Sequence, residues 1–502
     1  MPVAKHPVEY VIGSGAFAKG YLLRDGDYLL QSPVTWYTAK DGYAIAPGYD
    51  ETTHRGCNRV IEDNCLVCHA GIVSTPDHNP NKPMIHELAI GCERCHGAGA
   101  AHSELYQSLG PDARQSPPAD SLIVNPASLN RRERESICAQ CHLDGDVVAY
   151  ALGKDAWDFR PGQDLSDLRS SYKATGDKAT EKRFSNHFDQ MWQSDCYLGS
   201  ETLTCTTCHD PHRETAPQEL RAVYREICNQ CHSDDGCSKA LAVRVETNQN
   251  DCTACHMPRS ETEIPHTSTT NHRIAVHQTD AVDQATVPAE MALRWVTPST
   301  DVLQSDQRDR RAMIARGYWA IQQTLGGKHQ ELLSLQTDPL RQSAVENADA
   351  ESFALLARIS RYRAEVLTGN AASRDQADAY HTLAMRDAQA ALQIDDQPDT
   401  PHQSALETLA DQQMVKEDYV GAIKSYEELT QIRRAAPDWY NLALCYAKQG
   451  RLADAESALL RSIELDAAYP QPYQSLARLY ASVDPVAAAR FQTIARRLTT
   501  RQ

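Results

Sequence analysis

Residues 205–212 read Cys-Thr-Thr-Cys-His-Asp-Pro-His, and the first five form a Cys-x-x-Cys-His pentapeptide. Two thiols three positions apart on one helical turn can reach both vinyl groups of a porphyrin. The adjacent imidazole can reach the iron from the same turn. This pentapeptide is therefore typical of covalent c-type haem attachment.

The same pentapeptide occurs six times between residues 65 and 256. In chain order, motifs 1 to 6 are Cys65/Cys68/His69, Cys92/Cys95/His96, Cys138/Cys141/His142, Cys205/Cys208/His209, Cys228/Cys231/His232 and Cys252/Cys255/His256. Composition alone gives roughly 0.02 chance matches. Zinc sites do not need a His after each Cys pair, and a thioredoxin-like motif would occur once. We predict six covalent haem c groups, each with the His of its motif as proximal iron ligand.

Length, net charge and residue composition limit the class of protein. A chain of 502 residues is long enough for two to four domains, and its net charge is −17. No basic patch of the kind that binds phosphates is present, so we expect no nucleic-acid partner. No apolar run approaches the roughly 18 residues of a membrane span, so we expect none in this chain. Of 16 cysteines, only Cys445 follows residue 255, which indicates two different kinds of domain.

A low-spin, electron-carrying haem needs a second axial ligand, most often His. Ten histidines before residue 300 lie outside the motifs, which is enough for six haems. The preferred candidates are His86, His102, His187, His212, His266 and His272. His54, His78 and His277 are reserves. Met191 and Met257 could also ligate iron, but Met is more often a packing residue.

Two segments carry a family resemblance. Residues 95–102 read Cys-His-Gly-x-Gly-x-x-His, and residues 208–212 read Cys-His-Asp-Pro-His. The stretch from Ile85 to His277 resembles the multihaem cytochromes related to the tetrahaem cytochrome of ammonia oxidisers, pentahaem nitrite reductase and octahaem hydroxylamine oxidoreductase. The resemblance covers about 40% of the chain and implies that His102 and His212 are distal ligands. Unlike the nitrite reductases, this chain has no Cys-x-x-Cys-Lys motif.

The predicted cofactor determines the expected compartment. Haem attachment requires machinery outside the bacterial inner membrane, so we predict a periplasmic or exported protein. The first residues show no charged segment followed by an apolar one, which is the pattern of a signal peptide. We therefore expect a truncated or misassigned N-terminus. In an oxidising compartment Cys196 and Cys237 could form a disulfide or remain two buried thiols.

The flanking regions indicate two further structures. Tyr21-Leu-Leu and Tyr28-Leu-Leu on either side of Arg24-Asp-Gly-Asp predict a β-hairpin. Near the other end, Leu442-Ala443 recurs as Leu476-Ala477 after 34 residues, the period of the helical tetratricopeptide repeat. Further helices are expected around 307–326, 350–369 and 375–395. A plain helical bundle is the alternative.

The predicted fold is therefore mainly α. A small β-rich segment at 1–50 precedes a loop-rich multihaem cytochrome domain at 51–285. An all-α tetratricopeptide-repeat solenoid follows at 300–502, with the clearest repeats at 402–495. Such solenoids present concave surfaces to protein partners.

Two functions fit these features. The first is electron transfer along six haems, with the repeats docking a redox protein partner. The second is a multihaem oxidoreductase acting on nitrite, hydroxylamine or sulfite. An enzyme needs an iron with an open distal site, and no motif for one is present, so electron transfer is favoured.

Overall fold

A computed structural model describes residues 6–13, 17–49, 56–109, 122–143, 145–174, 187–216, 218–233, 236–259, 270–277, 293–297, 303–368 and 371–500. The chain divides into two compact units. Met1–Ala89 and Ala312–Gln502 form one, which we name the repeat unit; Ile90–Arg311 form the other, the motif unit. Motif 1 belongs to the repeat unit and motifs 2 to 6 to the motif unit. The boundaries expected from sequence, near residues 50, 285 and 300, remain a prediction.

The strands of the described residues are β1 Val8–Ile12, β2 Ala18–Asp25, β3 Tyr28–Gln31, β4 Val34–Tyr37, β5 Gly42–Ile45, β6 Arg59–Val60, β7 Ile72–Ser74, β8 Met84–Glu87, β9 Val147–Tyr150, β10 Arg169–Ala174 and β11 Leu293–Trp295.

The helices are α1 Asp63–Leu66, α2 Glu93–His96, α3 Ala100–Ser108, α4 Arg131–His142, α5 Leu165–Leu168, α6 His187–Trp192, α7 Asp195–Leu198, α8 Cys205–Cys208, α9 Leu220–Asn229, α10 Leu241–Asn248, α11 Cys252–His256, α12 Ser305–Leu325, α13 Gln330–Ser334, α14 Asp338–Asn347, α15 Ala350–Thr368, α16 Arg374–Ile394, α17 Thr400–Val415, α18 Tyr419–Ile432, α19 Ala436–Lys448, α20 Leu452–Leu465, α21 Pro470–Tyr480 and α22 Pro485–Thr499.

The N-terminal part of the repeat unit is an antiparallel sheet in the order β5-β4-β2-β3-β6, with β1 also pairing with β2. The predicted hairpin is confirmed. Asp25 pairs with Tyr28 across a two-residue loop, and Gly26 there has a φ of 59°, which a glycine adopts without steric cost. Leu22 and Leu29 are almost fully buried and form the core of this sheet.

The C-terminal part of the repeat unit consists of helix pairs, which confirms the predicted all-α region. The helices expected around 307–326, 350–369 and 375–395 are α12, α15 and α16. Small residues such as Ala410, Ala422 and Ala443 are buried in one core with Tyr426, which lets neighbouring helices approach closely. Gly450 has a φ of 73° in the turn between α19 and α20.

The motif unit has a smaller core built around α4 and the antiparallel sheet β9-β10-β11. Asn130 and Glu133 form a capping box that begins α4. Ile137 packs with Phe159 and Phe188 in the core, and the motif residues Cys95, Cys138 and Cys205 pack at its edge. Three of the predicted attachment points therefore surround one core. In the described residues, no helix combines the length and the apolar character needed to span a membrane.

Candidate haem-binding site

The motifs adopt the tight turn that haem attachment requires. The backbone N–H of His96 donates to the carbonyl of Cys92 at 2.9 Å, and the equivalent bond joins His209 to Cys205 at 2.9 Å. In motif 3 the turn is the end of a longer helix, because α4 ends at His142. Each of these turns brings the imidazole and the first thiol of its motif to the same side of the backbone.

The motif thiols are accessible to a porphyrin. The exposed ones are Cys65, Cys68, Cys92, Cys231 and Cys255. The half-buried ones are Cys95, Cys138, Cys141, Cys205, Cys208, Cys228 and Cys252. Among the described residues, no three or more His, Cys, Asp or Glu side chains gather as a metal cluster.

Two proximal candidates present one nitrogen for a metal. The Nδ1 of His96 lies 2.8 Å from the carbonyl oxygen of Val124, and the Nδ1 of His256 lies 3.0 Å from that of Ala275. An Nδ1–H bonded to a backbone carbonyl fixes the tautomer and leaves Nε2 as the metal-binding atom. This is the orientation expected of an axial iron ligand.

Three motif histidines face a second imidazole. Because a metal–nitrogen bond to imidazole is about 2 Å long, two imidazoles on opposite faces of one iron have ring centres roughly 6 Å apart. The ring centres of His96 and His212 are 5.9 Å apart, with planes inclined by 20°. Those of His209 and His272 are 6.4 Å apart at 30°. These two pairs have the separation of a bis-histidine iron site.

The third pair is His142 and His187, with ring centres 5.4 Å apart and planes inclined by 56°. His187 also lies beside His272, at 4.3 Å. That separation is too short for an iron between the two rings, so His187 and His272 can serve only different irons. The rings of three predicted distal candidates thus lie within 6.4 Å of the histidines of motifs 2, 3 and 4, and their ligand roles stay predictions.

The proximal candidates of motifs 1 and 5 are placed differently. The backbone N–H of His69 donates to the carbonyl of Leu66, three residues back, at 3.0 Å, so the turn of motif 1 is tighter than the others. The N–H of His232 donates to the carbonyl of Cys228 at 3.0 Å, as in motifs 2 and 4, but its side chain is exposed. The imidazole pairs measured above belong to motifs 2, 3 and 4. The ligand roles of His69 and His232 therefore rest on their motifs and stay predictions.

The second cysteines of motifs 1, 3 and 6 differ in their surroundings. Cys68 of motif 1 is exposed, and Cys141 of motif 3 is half-buried within α4. The exposed Sγ of Cys255 in motif 6 accepts a hydrogen bond from the Nδ2 of Asn248 at 2.9 Å. A thioether bond to a haem would replace this weak contact. The attachment roles of all twelve motif cysteines, these three included, stay predictions.

Removal from water keeps the clustered imidazoles neutral. Burial lowers the pKa of His187 to about 3, with further lowering by His272 and His142. Partial removal from water likewise lowers the pKa values of His142, His209 and His272, although His142 and His209 are exposed at the surface. A neutral imidazole has the lone pair that binds a metal. The cluster is therefore in the protonation state required for iron ligation.

Thiol contacts show which motifs are neighbours. The thiol of Cys205 in motif 4 lowers the pKa of the Cys138 thiol in motif 3, so the two thiols are neighbours. Burial raises the pKa of Cys95 in motif 2, and nearby Cys138 adds to this effect. Burial raises the pKa of Cys228 in motif 5 to about 11, and its neighbour Cys252 in motif 6 contributes. Motifs 2, 3 and 4 therefore lie close together, and so do motifs 5 and 6.

The other distal candidates contact other groups. The Nε2 of His86 lies 2.7 Å from the Ser74 hydroxyl, and the Nε2 of His277 lies 3.0 Å from the carbonyl of Arg273. The ring of His102 lies against Tyr106 at 4.5 Å. His266 lies outside the described residues. The distal roles of these histidines stay predictions.

The sequence analysis left open whether Cys196 and Cys237 form a disulfide. Cys196 and Cys237 are both free rather than disulfide-bonded. Burial raises the pKa of Cys196, and Cys231 contributes to this. Cys196 is therefore close to motif 5.

Two residues of this region, Gln190 and Glu135, were not identified from the sequence. The Oε1 of Gln190 accepts a hydrogen bond from the backbone N–H of His272 at 2.8 Å. Glu135, one turn before Cys138, accepts hydrogen bonds from Tyr197 and Trp192, and burial raises its pKa. A glutamine has no recognisable motif, so no sequence signal could have identified Gln190. Glu135 lies in a helix rich in polar residues, so the sequence pattern did not predict that it is buried.

The helices that carry motifs 5 and 6 expose apolar side chains. Every residue of α9, α10 and α11 is at least partly exposed. Leu241 and Val245 of α10 are 54% and 52% exposed. Contiguous exposed apolar residues mark a binding surface. A porphyrin attached at the adjacent motifs would cover such a surface, so these residues fit the predicted cofactor.

A family model described as "Doubled CXXCH motif" matches residues 200–236, which contain motifs 4 and 5. This match supports covalent haem c binding, and haem c implies a location outside the cytoplasm. None of the curated proteins compared with the chain matches it.

Several solved structures match part of the chain. A crystal structure of MamA is 12% identical over 37% of this chain and 94% of its own length, with a TM-score of 0.29. MamA from Desulfovibrio magneticus RS-1 is 17% identical, with coverages of 40% and 98% and a TM-score of 0.30. The TPR2AB domain of yeast Sti1, in a complex with pHSP90, is 16% identical, with coverages of 38% and 79% and a TM-score of 0.20. The helical-repeat assignment rests on the helix pairs of this chain, not on these weak likenesses.

Proposed function

We propose that this protein is a periplasmic or exported multihaem cytochrome that carries electrons along six covalent haems. Its repeat unit would dock a redox protein partner. Each haem c, when bound, supplies a one-electron iron couple. The motif cysteines would anchor the groups, and paired histidines would hold the irons from both faces.

The observation that carries this proposal is the pairing of imidazoles. His96 with His212, His142 with His187, and His209 with His272 would close both faces of three irons. A closed iron keeps its ligands in both oxidation states, so electron exchange requires little rearrangement. An iron that acts on a small molecule needs an open position instead.

The adjacent motifs support a continuous path. Thiol contacts link motifs 3 and 4 and motifs 5 and 6. The ring of His209 in motif 4 lies 6.1 Å from that of Tyr224, which belongs to the helix leading into motif 5. The attachment points of motifs 2 to 6 thus succeed one another through the motif unit, as an electron path requires.

Motif 1 is tied to the helical repeats. The Nδ2 of Asn79 donates to the carbonyl of Ile432 at 2.7 Å, and that of Asn81 donates to the Oε1 of Gln403 at 2.8 Å. Both asparagines are buried. A partner docked on the repeats would therefore be held in a fixed relation to the motif 1 haem.

Spectroscopy of the purified holoprotein tests the proposal. Mass spectrometry should find six haem additions. Electron paramagnetic resonance should show chiefly low-spin ferric iron, and carbon monoxide should leave the reduced spectrum almost unchanged. His212→Ala should convert one haem to high spin, since the iron at His96 would lose its second imidazole. Arg213→Ala, an exposed residue next to His212 without a ligating side chain, is the control.

Fewer than five haems would refute the cofactor count. A strong high-spin signal in the native protein, together with rapid turnover of nitrite, hydroxylamine or sulfite by an artificial donor, would favour the oxidoreductase.

A further inference from the structure

Helix α6 carries one of the imidazoles that we assign as distal ligands and is hydrogen-bonded to the residue that carries another. It begins with His187, which faces His142. Three residues later, the Oε1 of Gln190 accepts the backbone N–H of His272 at 2.8 Å. One short helix thus holds one candidate ligand within its own sequence and a second through a hydrogen bond.

The opposite side of α6 is fixed by a buried ion cluster. Lys173 on β10 pairs in register with Arg294 on β11, and two cations directly opposite each other on a sheet repel. The single carboxylate of Asp189 in α6 contacts both cations and offsets part of their repulsion. It lies 2.8 Å from the Nζ of Lys173 and 3.1 Å from the guanidinium of Arg294. Since Asp189 is buried, this cluster fixes α6 firmly on the sheet.

The side chain of His272 is oriented by a second bond. Its Nδ1 lies 3.0 Å from the carbonyl oxygen of Thr270, which leaves Nε2 for a metal. The local backbone is held by the bridge between Thr270 and Arg259 and by the bond from the Asn271 N–H to the Pro258 carbonyl at 3.1 Å. The bond to Gln190 connects the backbone of His272 to α6, and the ring of His187 in the same helix lies 4.3 Å from the His272 ring.

We propose that Gln190 is a positioning residue that holds His272 over the iron at motif 4. In this way α6 sets the distal side of two neighbouring haems, those of motifs 3 and 4. The inference rests on the proposed bis-histidine function. It goes further because it assigns a role to a residue that binds no cofactor.

The test compares two substitutions in the holoprotein. Gln190→Leu keeps the approximate size but removes the acceptor, while Gln190→Glu keeps an oxygen acceptor. We expect Gln190→Leu to turn one haem high-spin and to let one reduced haem bind carbon monoxide, with haem content unchanged by mass. Gln190→Glu should retain the native low-spin spectrum. A matched control is Gln218→Leu, because Gln218 is an exposed glutamine of the same unit that lies outside α6.

A further variant, His272→Ala, separates the role of Gln190 from the assignment of His272 as an iron ligand. His272→Ala should also create one high-spin haem, and combining it with Gln190→Leu should add no second one. If His272→Ala does so but Gln190→Leu remains low-spin, the role of Gln190 is refuted while the ligand assignment survives. If His272→Ala remains low-spin, the ligand assignment itself is wrong. High-spin haem in Gln218→Leu or Gln190→Glu would also overturn the assignment to Gln190, since the acceptor would then not be the decisive feature.

Discussion

Helices α9–α11 and helices α17–α20 are both short and amphipathic, yet they differ in what covers their apolar faces. In α17–α20 the apolar side chains meet one another, and Ala410, Ala422 and Tyr426 are completely buried. In α9–α11 every residue is at least partly exposed. Apolar burial is the main driving force of folding, so the second group lacks a sufficient protein core of its own.

This difference indicates that the two regions are stabilised differently. The repeats obtain their core from adjacent helices, as solenoids do. The motif helices would obtain theirs from the porphyrins that their cysteines bind. Cofactor attachment should therefore act as folding free energy in one region and be irrelevant in the other.

The largest effect should follow from removing one attachment site. In Cys228→Ala/Cys231→Ala, motif 5 can no longer bind haem covalently, and we expect residues 218–259 to lose their protection against proteolysis. The repeats should keep theirs. Limited proteolysis followed by mass spectrometry measures both regions in one experiment.

Cys237→Ala is the control for this variant, because Cys237 is a free thiol in the same region but outside any motif. It should leave the haem count and the cleavage pattern unchanged. If residues 218–259 stay protected without their haem, the proposed contrast between the two regions is wrong.

A fragment of residues 300–502 should fold without any haem. Its helices pack on one another, and it contains no motif. Circular dichroism should show a helical spectrum with a cooperative thermal transition. Adding residues 1–89 should raise the transition temperature, since Asp25 pairs with Arg434 at 2.7 Å and Asn81 bonds to Gln403. A mostly disordered fragment would show that the repeats depend on the rest of the chain.

Within the repeats, a core truncation should have a substantial local effect. Leu442 is 2% exposed, so Leu442→Ala should lower the free energy of unfolding by about 2–5 kcal/mol. Leu452 is 53% exposed, and Leu452→Ala should cost less than about 1 kcal/mol. Urea denaturation followed by circular dichroism gives both values. Equal losses would mean that the repeat core is not packed as described, and a changed haem spectrum would mean that the regions are coupled.

The sequence predicted those features that depend on local patterns. The Arg24-Asp-Gly-Asp turn specified the hairpin because its geometry depends on four adjacent residues. The 34-residue period specified the repeats because each unit packs mainly on the next. The sheet β9-β10-β11 was missed. Its third strand, Leu293–Trp295, lies over a hundred positions after its partner β10, and no short pattern reports such a pairing.

The same limit applies to the candidate site. The spacing within each motif predicts the proximal ligands because the chemistry is contained in five residues. Among the distal candidates, His187, His212 and His272 lie within 6.4 Å of motif histidines, but the sequence did not show which motif each one lies near. His212 follows motif 4, yet its ring faces His96 of motif 2. Three residues after His209, it is too close along the chain to reach the opposite face of the same iron.

The smallest expected effect concerns charge within the repeats. Glu407 lies between Arg361 and Arg433, with oxygen–nitrogen distances of 3.1 and 2.7 Å. Burial would raise the pKa of Glu407, but the two guanidinium groups outweigh it and lower the pKa from 4.5 to about 2. Because a third of the side chain is exposed, solvent screens this interaction.

We expect Glu407→Gln to lower the free energy of unfolding by about 1 kcal/mol at pH 7. A lowered folded-state pKa contributes stability above the unfolded value of 4.5, and this contribution is lost as the pH falls toward 2. The difference between the native protein and Glu407→Gln should therefore shrink between pH 5 and pH 3, in urea titrations at both values. Glu464→Gln is the control, because Glu464 forms a highly exposed pair with Arg461 and should change stability little at either pH. A difference for Glu407→Gln that does not change with pH would mean that the variant acts through packing and not through charge.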